Sequence, residues 1–135
     1  MKTLTIVLAC VAGLFFAQKF MGATSEQDKL VKNVGVKEFQ ELIINNENGV
    51  LIDVRTPNEI SQGYIKGAVF IDFYDKNFES NVLKIAKDKE IFLYCRSGGR
   101  SGNAAKILVK NGYEKVYNLS GGFNAWSANK LPIAK

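Results

Sequence analysis

The segment Cys95-Arg96-Ser97-Gly98-Gly99-Arg100-Ser101 sets a thiol, two guanidinium groups and two hydroxyls around a pair of glycines, directly after the apolar run Ile91-Phe92-Leu93-Tyr94. Adjacent glycines let the backbone turn tightly with its amide N–H groups pointing inward. A concave row of N–H groups attracts anions, and a thiol placed there is drawn towards its ionised form. The two arginines and the positive end of a helix starting near Arg100 strengthen that potential. The chemistry predicted is nucleophilic attack by a Cys95 thiolate. The chain contains no histidine, so no imidazole can take the thiol proton as in Cys-His proteases, and electrostatics must hold the thiolate. With Cys10 the only other cysteine, the usual zinc ligand set cannot be assembled. No metal or other cofactor is expected.

These side chains need a scaffold. Short apolar runs from Val50 to Ile52 and from Glu90 to Tyr94 predict strands buried on both faces of a parallel sheet. Val36 to Ile44 places Val36, Phe39, Leu42 and Ile43 on one helical face and stops at Asn45-Asn46-Glu47-Asn48-Gly49, after what reads as a polar lead-in. Thr56-Pro57 with Glu59 predicts a capped helical turn ending near Gly63. Further along, a strand is expected at Ala68 to Ile71, a helix from Phe78 to Ala86 and a helix from about Arg100 to Lys110. A strand at Val116-Tyr117 and a closing helix at Phe123 to Trp126 complete the pattern. Strands alternating with helices make an α/β domain with a central parallel sheet flanked by helices. Ligands of such sheets bind beyond the carboxyl ends of the strands, where both Cys95 and the Asp53-Val54-Arg55 segment emerge. Asp53 and Arg55, an acid and a base two residues apart, are expected to support the site by tying down neighbouring loops rather than to act on substrate.

The N-terminal stretch follows different rules. Met1-Lys2, an apolar segment from Leu4 to Ala17, then Gln18-Lys19 and the small residues Gly22-Ala23 read as a secretory leader. Residues 1–23 are therefore expected to be removed and residues 24–135 exported to the periplasm as one domain. Retention of residues 4–23 as an uncleaved membrane anchor is the alternative. A lipidated Cys10 fits less well, because the apolar stretch runs on past it. After cleavage Cys95 would stand alone, with no partner for an internal disulfide. The charge balance is +5, but the lysines are scattered among acids without interleaved aromatics, so no nucleic-acid partner is expected.

Two anion chemistries use a cysteine on a glycine-rich loop before a helix: phosphate-ester cleavage and sulfane sulfur transfer. Cysteine phosphatases and arsenate reductases place their arginine one residue further along, where this chain has Ser101. The shorter loop resembles that of the rhodanese family. Leu51-Ile52-Asp53-Val54-Arg55-Thr56-Pro57-Asn58-Glu59 is similar to the family's first signature, Gly63-Tyr64-Ile65-Lys66-Gly67-Ala68 to its second, and Tyr94 to Ser101 to its active-site loop. Gly112-Tyr113 and Leu119-Ser120-Gly121-Gly122-Phe123-Asn124-Ala125-Trp126 resemble its closing segment. Tyr64 and Lys66 depart from it, standing where the family often has histidine and proline.

The resemblance implies a rhodanese-like fold over residues 34–130 and a sulfurtransferase. A small-molecule sulfur donor such as thiosulfate would load Cys95 as a persulfide, and a thiol or cyanide acceptor would remove the sulfur. It also leaves room for a protein sulfur acceptor, for a persulfide or redox relay through the same Cys95, and for a noncatalytic interaction module. Arg96 would grip the donor's sulfonate through its planar fork, and Arg100 would order the loop or set its potential. Ser97, Gly98, Gly99 and Ser101 would contribute mainly backbone.

Overall fold

The computed structural model describes residues 30–135, so the expected leader or anchor at residues 1–23 lies outside the described residues. Ten elements follow one another: β1 (Val31–Val34), α1 (Val36–Ile44), β2 (Gly49–Asp53), α2 (Pro57–Ile60), β3 (Val69–Phe70), α3 (Phe78–Val82), β4 (Glu90–Tyr94), α4 (Gly99–Lys110), β5 (Val116–Leu119) and α5 (Gly122–Ala128). The strands form one sheet in the order β1-β5-β4-β2-β3, with every pair parallel. This is the α/β architecture that the alternating strand and helix patterns predict.

Side-chain alternation along the central strands divides the core into two layers. Ile52 of β2 and Ile91 and Leu93 of β4 pack with Ala104, Ala105 and Leu108 of α4 and with Val82 of α3. Leu51, Phe92 and Tyr94 point the opposite way, against Phe39 of α1 and Trp126 of α5. Because both faces of β2 and β4 are covered, their sequences read as unbroken apolar runs rather than as alternating ones. Burying each of these large side chains stabilises the domain by roughly 1.5–3 kcal/mol. Cys95, one residue past β4, continues the alternation into the α4 layer.

Several boundaries differ from the sequence expectation. The polar lead-in contains β1, paired with β5 from Val31↔Val116 to Val34↔Leu119. Its Lys32 and Asn33 are exposed, as suits a short edge strand. β3 is confined to two half-exposed residues instead of four, because only Val69 and Phe70 align with β2. α3 stops at Val82, and Ile85 lies in the turn beyond, where its carbonyl accepts the Tyr113 hydroxyl. α2 has the expected capping box, with the Thr56 hydroxyl accepting the Glu59 N–H and the Glu59 carboxylate reaching back to Thr56. Tyr64 exchanges backbone hydrogen bonds with Ala134, so the second signature segment is held by the C-terminal tail.

Candidate active site

Cys95 leaves β4 where the sheet ends, and the chain turns at once into α4. Gly98 makes that turn with φ of 104° in the left-handed region, which side-chain-bearing residues rarely adopt. Gly122 makes a second demand. A Cβ there would fall 2.5 Å from the Cys95 carbonyl oxygen and 2.6 Å from that of Arg96. This close approach lets the start of α5 hold the loop: Phe123 N–H donates to the Cys95 carbonyl at 2.8 Å, and Asn124 N–H to the Arg96 carbonyl at 3.0 Å. In a planar trans peptide the C=O and the following N–H point in opposite directions. Drawing those two carbonyls towards α5 therefore turns the N–H groups of Arg96 and Ser97 away from it, towards the concave side of the loop.

The sulfur sits at the base of this concavity. Cys95 is 1% exposed, while Arg96, Ser97 and Gly99 of the same loop are exposed. Its Sγ accepts the Gly98 N–H at 3.1 Å and lies 3.3 Å from the Ser101 hydroxyl. Burial is the largest single influence on the thiol and opposes ionisation, but the Ser101 hydroxyl and the N–H groups of Ser101, Gly98 and Ser97 together outweigh it. The Cys95 pKa therefore lies below its ordinary value. The sequence reading has Ser101 contribute mainly backbone; its N–H does so, and the structure adds its side chain, which is fully buried and lies against the sulfur.

The two loop arginines are placed differently. Arg100 forms a two-point ion pair with Glu59, at 2.8 and 2.9 Å, and its guanidinium lies 5.4 Å from the Tyr74 ring centre. Arg100, more than any other neighbour, holds the Glu59 carboxyl down at about 2. Its charge is thus largely neutralised, and it fastens the start of α4 to α2. Arg96 is exposed and makes no salt bridge among the described residues. It lines a cleft of about 420 Å³ with Asn58, Gln62, Asn124 and Ser127. The uncompensated positive charge of the loop is therefore that of Arg96.

Asp53 and Arg55 form a buried unit of their own. Arg55 donates to the Asp53 carboxylate from Nε at 2.9 Å and Nη2 at 2.7 Å, and from Nη2 to the Gly63 carbonyl at 2.8 Å. Its guanidinium lies 4.1 Å from the Phe123 ring centre. Burial works against the Arg55 charge, but Asp53 outweighs it and the pKa is raised. The pair thus joins the end of β2, the segment after α2 and the start of α5. Tyr94 belongs to the same unit, its hydroxyl accepting the Ile65 N–H at 3.0 Å. Among the described residues no cluster of His, Cys, Asp and Glu could hold a metal ion.

Three participants escape the sequence reading. Asn118 of β5 touches both Ser101 and the Gly98 carbonyl; its one signal is a polar side chain inside an otherwise apolar strand. Glu59 reads as a capping residue and gives no hint that it also takes Arg100. Gly122 reads as part of the closing segment, not as a contact with the loop.

A buried thiol drawn towards ionisation by backbone N–H groups, on a loop between a parallel strand and a helix, is chemically able to act as a nucleophile and to meet anions. Comparison with known proteins narrows the class. A family model described as a rhodanese-like domain matches residues 35–129. A sulfurtransferase of Allochromatium vinosum is 36% identical over 104 residues, covering 77% of this chain and 95% of its own length. The thiosulfate sulfurtransferase GlpE of Pseudoalteromonas translucida is 33% identical over 97 residues, covering 72% of this chain and 90% of its own. The polysulfide-sulfur transferase homodimer of Wolinella succinogenes superposes with a TM-score of 0.67 at 25% identity, over 80% of this chain and 81% of its own. The chain belongs to the rhodanese family, as a single rhodanese-like domain of the sulfurtransferase type.

Proposed function

We propose that Cys95 carries sulfane sulfur between a thiosulfate-like donor and a thiophilic acceptor. The thiolate attacks the outer sulfur of thiosulfate, the S–S bond to the sulfonate breaks, and its electron pair leaves with sulfite. Cys95 then holds a persulfide whose negative charge rests on the added sulfur, beneath the inward N–H groups. Cyanide or a thiolate attacks that outer sulfur and returns Cys95 as thiolate, so no separate base is needed. Arg96, the loop arginine without an ion-pair partner among the described residues, binds the donor's sulfonate. The names of the relatives support two donors, thiosulfate and polysulfide, which share a terminal sulfane sulfur and a negative charge.

The observation that carries this reading is the Cys95 sulfur facing the Gly98 N–H and the Ser101 hydroxyl rather than hydrocarbon alone. Sulfite release tests it: protein mixed with thiosulfate and no acceptor releases about one sulfite per chain in a single burst, and Cys95→Ser releases none. Release from the variant would refute the covalent step. Export to the periplasm is proposed on the leader-like pattern of residues 1–23, and N-terminal sequencing of protein from the producing cell tests cleavage near Ala23.

A further inference from the structure

Asn118 is only 4% exposed, in a strand where Val116 and Leu119 are fully buried. Its surroundings fix which way its amide points. Nδ2 lies 3.2 Å from the Gly98 carbonyl and 2.9 Å from the Asn33 side-chain oxygen, and a backbone carbonyl can only accept. The NH2 group must therefore face Gly98, which turns Oδ1 towards the Ser101 hydroxyl, 2.6 Å away. Oδ1 can only accept as well, so Ser101 is the donor in this contact.

Ser101 has one hydroxyl proton and two neighbours that can take it, Asn118 Oδ1 at 2.6 Å and Cys95 Sγ at 3.3 Å. While Cys95 is a thiol there is no conflict: S–H donates to the Ser101 oxygen, and Ser101 donates to Asn118. Ionisation turns the sulfur into a competing acceptor. Swinging the hydroxyl towards it would leave the buried Asn118 oxygen without its donor, which opposes the charge on Cys95. A persulfide removes the competition, because its charge lies on the outer sulfur and the inner one is neutral. The remaining groups near the sulfur leave this contest intact. They are the N–H groups of Ser97, Gly98 and Ser101, Arg100 of α4 paired with Glu59 of α2, and exposed Arg96; on neighbouring β2, Asp53 is closed on Arg55.

We propose that Asn118 is a positioning residue that competes with Cys95 for the Ser101 hydroxyl proton, weakening the support this hydroxyl gives to negative charge on the inner sulfur relative to the outer sulfur of a persulfide. The persulfide half of this inference rests on the function proposed above, but the proton competition does not.

The experiment is a pH titration of the Cys95 thiolate by ultraviolet absorbance, with Cys95→Ser as the blank. Asn118→Val removes the competing acceptor and keeps a shape suited to a strand. The freed hydroxyl then donates to the thiolate, and the titration midpoint falls by about one pH unit, a tenfold gain in the thiolate-to-thiol ratio below it. In a Ser101→Ala background the same substitution leaves the midpoint unchanged. A midpoint that rises or stays put in Asn118→Val, or that falls equally with and without Ser101, overturns the proposal. Should Asn118→Val not fold, the native chain decides by NMR. The Asn118 side-chain amide resonances should move with Cys95 ionisation and lose that movement in Ser101→Ala. Resonances that ignore the titration, or move alike in both proteins, overturn the proposal. Sulfite release measured on the same samples separates the two ideas: titration as expected without sulfur uptake refutes the sulfur-carrier role alone.

Discussion

Glu59→Gln isolates the ion pair that fastens the active-site helix α4 to α2. Glutamine can still fill the capping box with Thr56, so the substitution removes the carboxylate charge facing Arg100 and little else. Arg100 is the main reason the Glu59 carboxyl falls from an ordinary 4.5 to about 2. Taken at face value, that drop corresponds to about 3 kcal/mol of stability. The two side chains are 26% and 17% exposed, and solvent screening brings the expected loss to about 1–2 kcal/mol. The direction with pH follows from the sign of the shift. A carboxyl whose folded pKa is depressed stabilises the fold fully above about 4.5 and loses that contribution as pH falls towards 2. Urea unfolding followed by Trp126, the single tryptophan and buried to 3% exposure, measures the difference. The native chain should exceed Glu59→Gln by about 1–2 kcal/mol at neutral pH, with the gap closing between pH 4.5 and about 2. A gap that is absent at neutral pH, or independent of pH, would refute the assignment of Arg100 as chiefly the partner of Glu59.

Arg96→Ala should lower kcat/KM for thiosulfate by about tenfold or more, mainly through KM, as expected when one charged hydrogen-bonding group is lost. Steady-state kinetics checks this, with thermal unfolding unchanged because Arg96 is exposed. Gly122→Ala puts a methyl group 2.5 Å from the Cys95 carbonyl oxygen, so stability should fall by at least about 2 kcal/mol by chemical denaturation, with sulfur uptake lost as the loop is pushed aside. Asp53→Asn leaves Arg55 buried beside a neutral partner; a loss of about 3–5 kcal/mol is expected from urea unfolding, and a near-native value would contradict the structural role of that pair.

What the sequence discloses tracks how local the cause is. α1 and the two central strands are legible because burial is written into consecutive residues, and the capping box of α2 is complete within four residues from Thr56 to Glu59. β1 is not legible, since Val31-Lys32-Asn33-Val34 becomes a strand only by pairing with β5 at the other end of the domain. The thiol, the glycine turn and the arginines announce the site, yet their division of labour depends on distant partners. Glu59, 41 residues from Arg100, decides that this arginine is an anchor. Asn118, 17 residues from Ser101, sets a second acceptor against the serine hydroxyl. Asp53 and Arg55 stand two residues apart in the sequence, but their reach to the Gly63 carbonyl and the Phe123 ring is visible only in the fold.

Mass analysis of the peptide containing Cys95, after the intact protein has met thiosulfate, addresses sulfur carriage most directly. The account predicts a gain of about one sulfur atom on that peptide, removed by cyanide with return of the original mass. An unchanged peptide, or added sulfur located elsewhere in the chain, would contradict it.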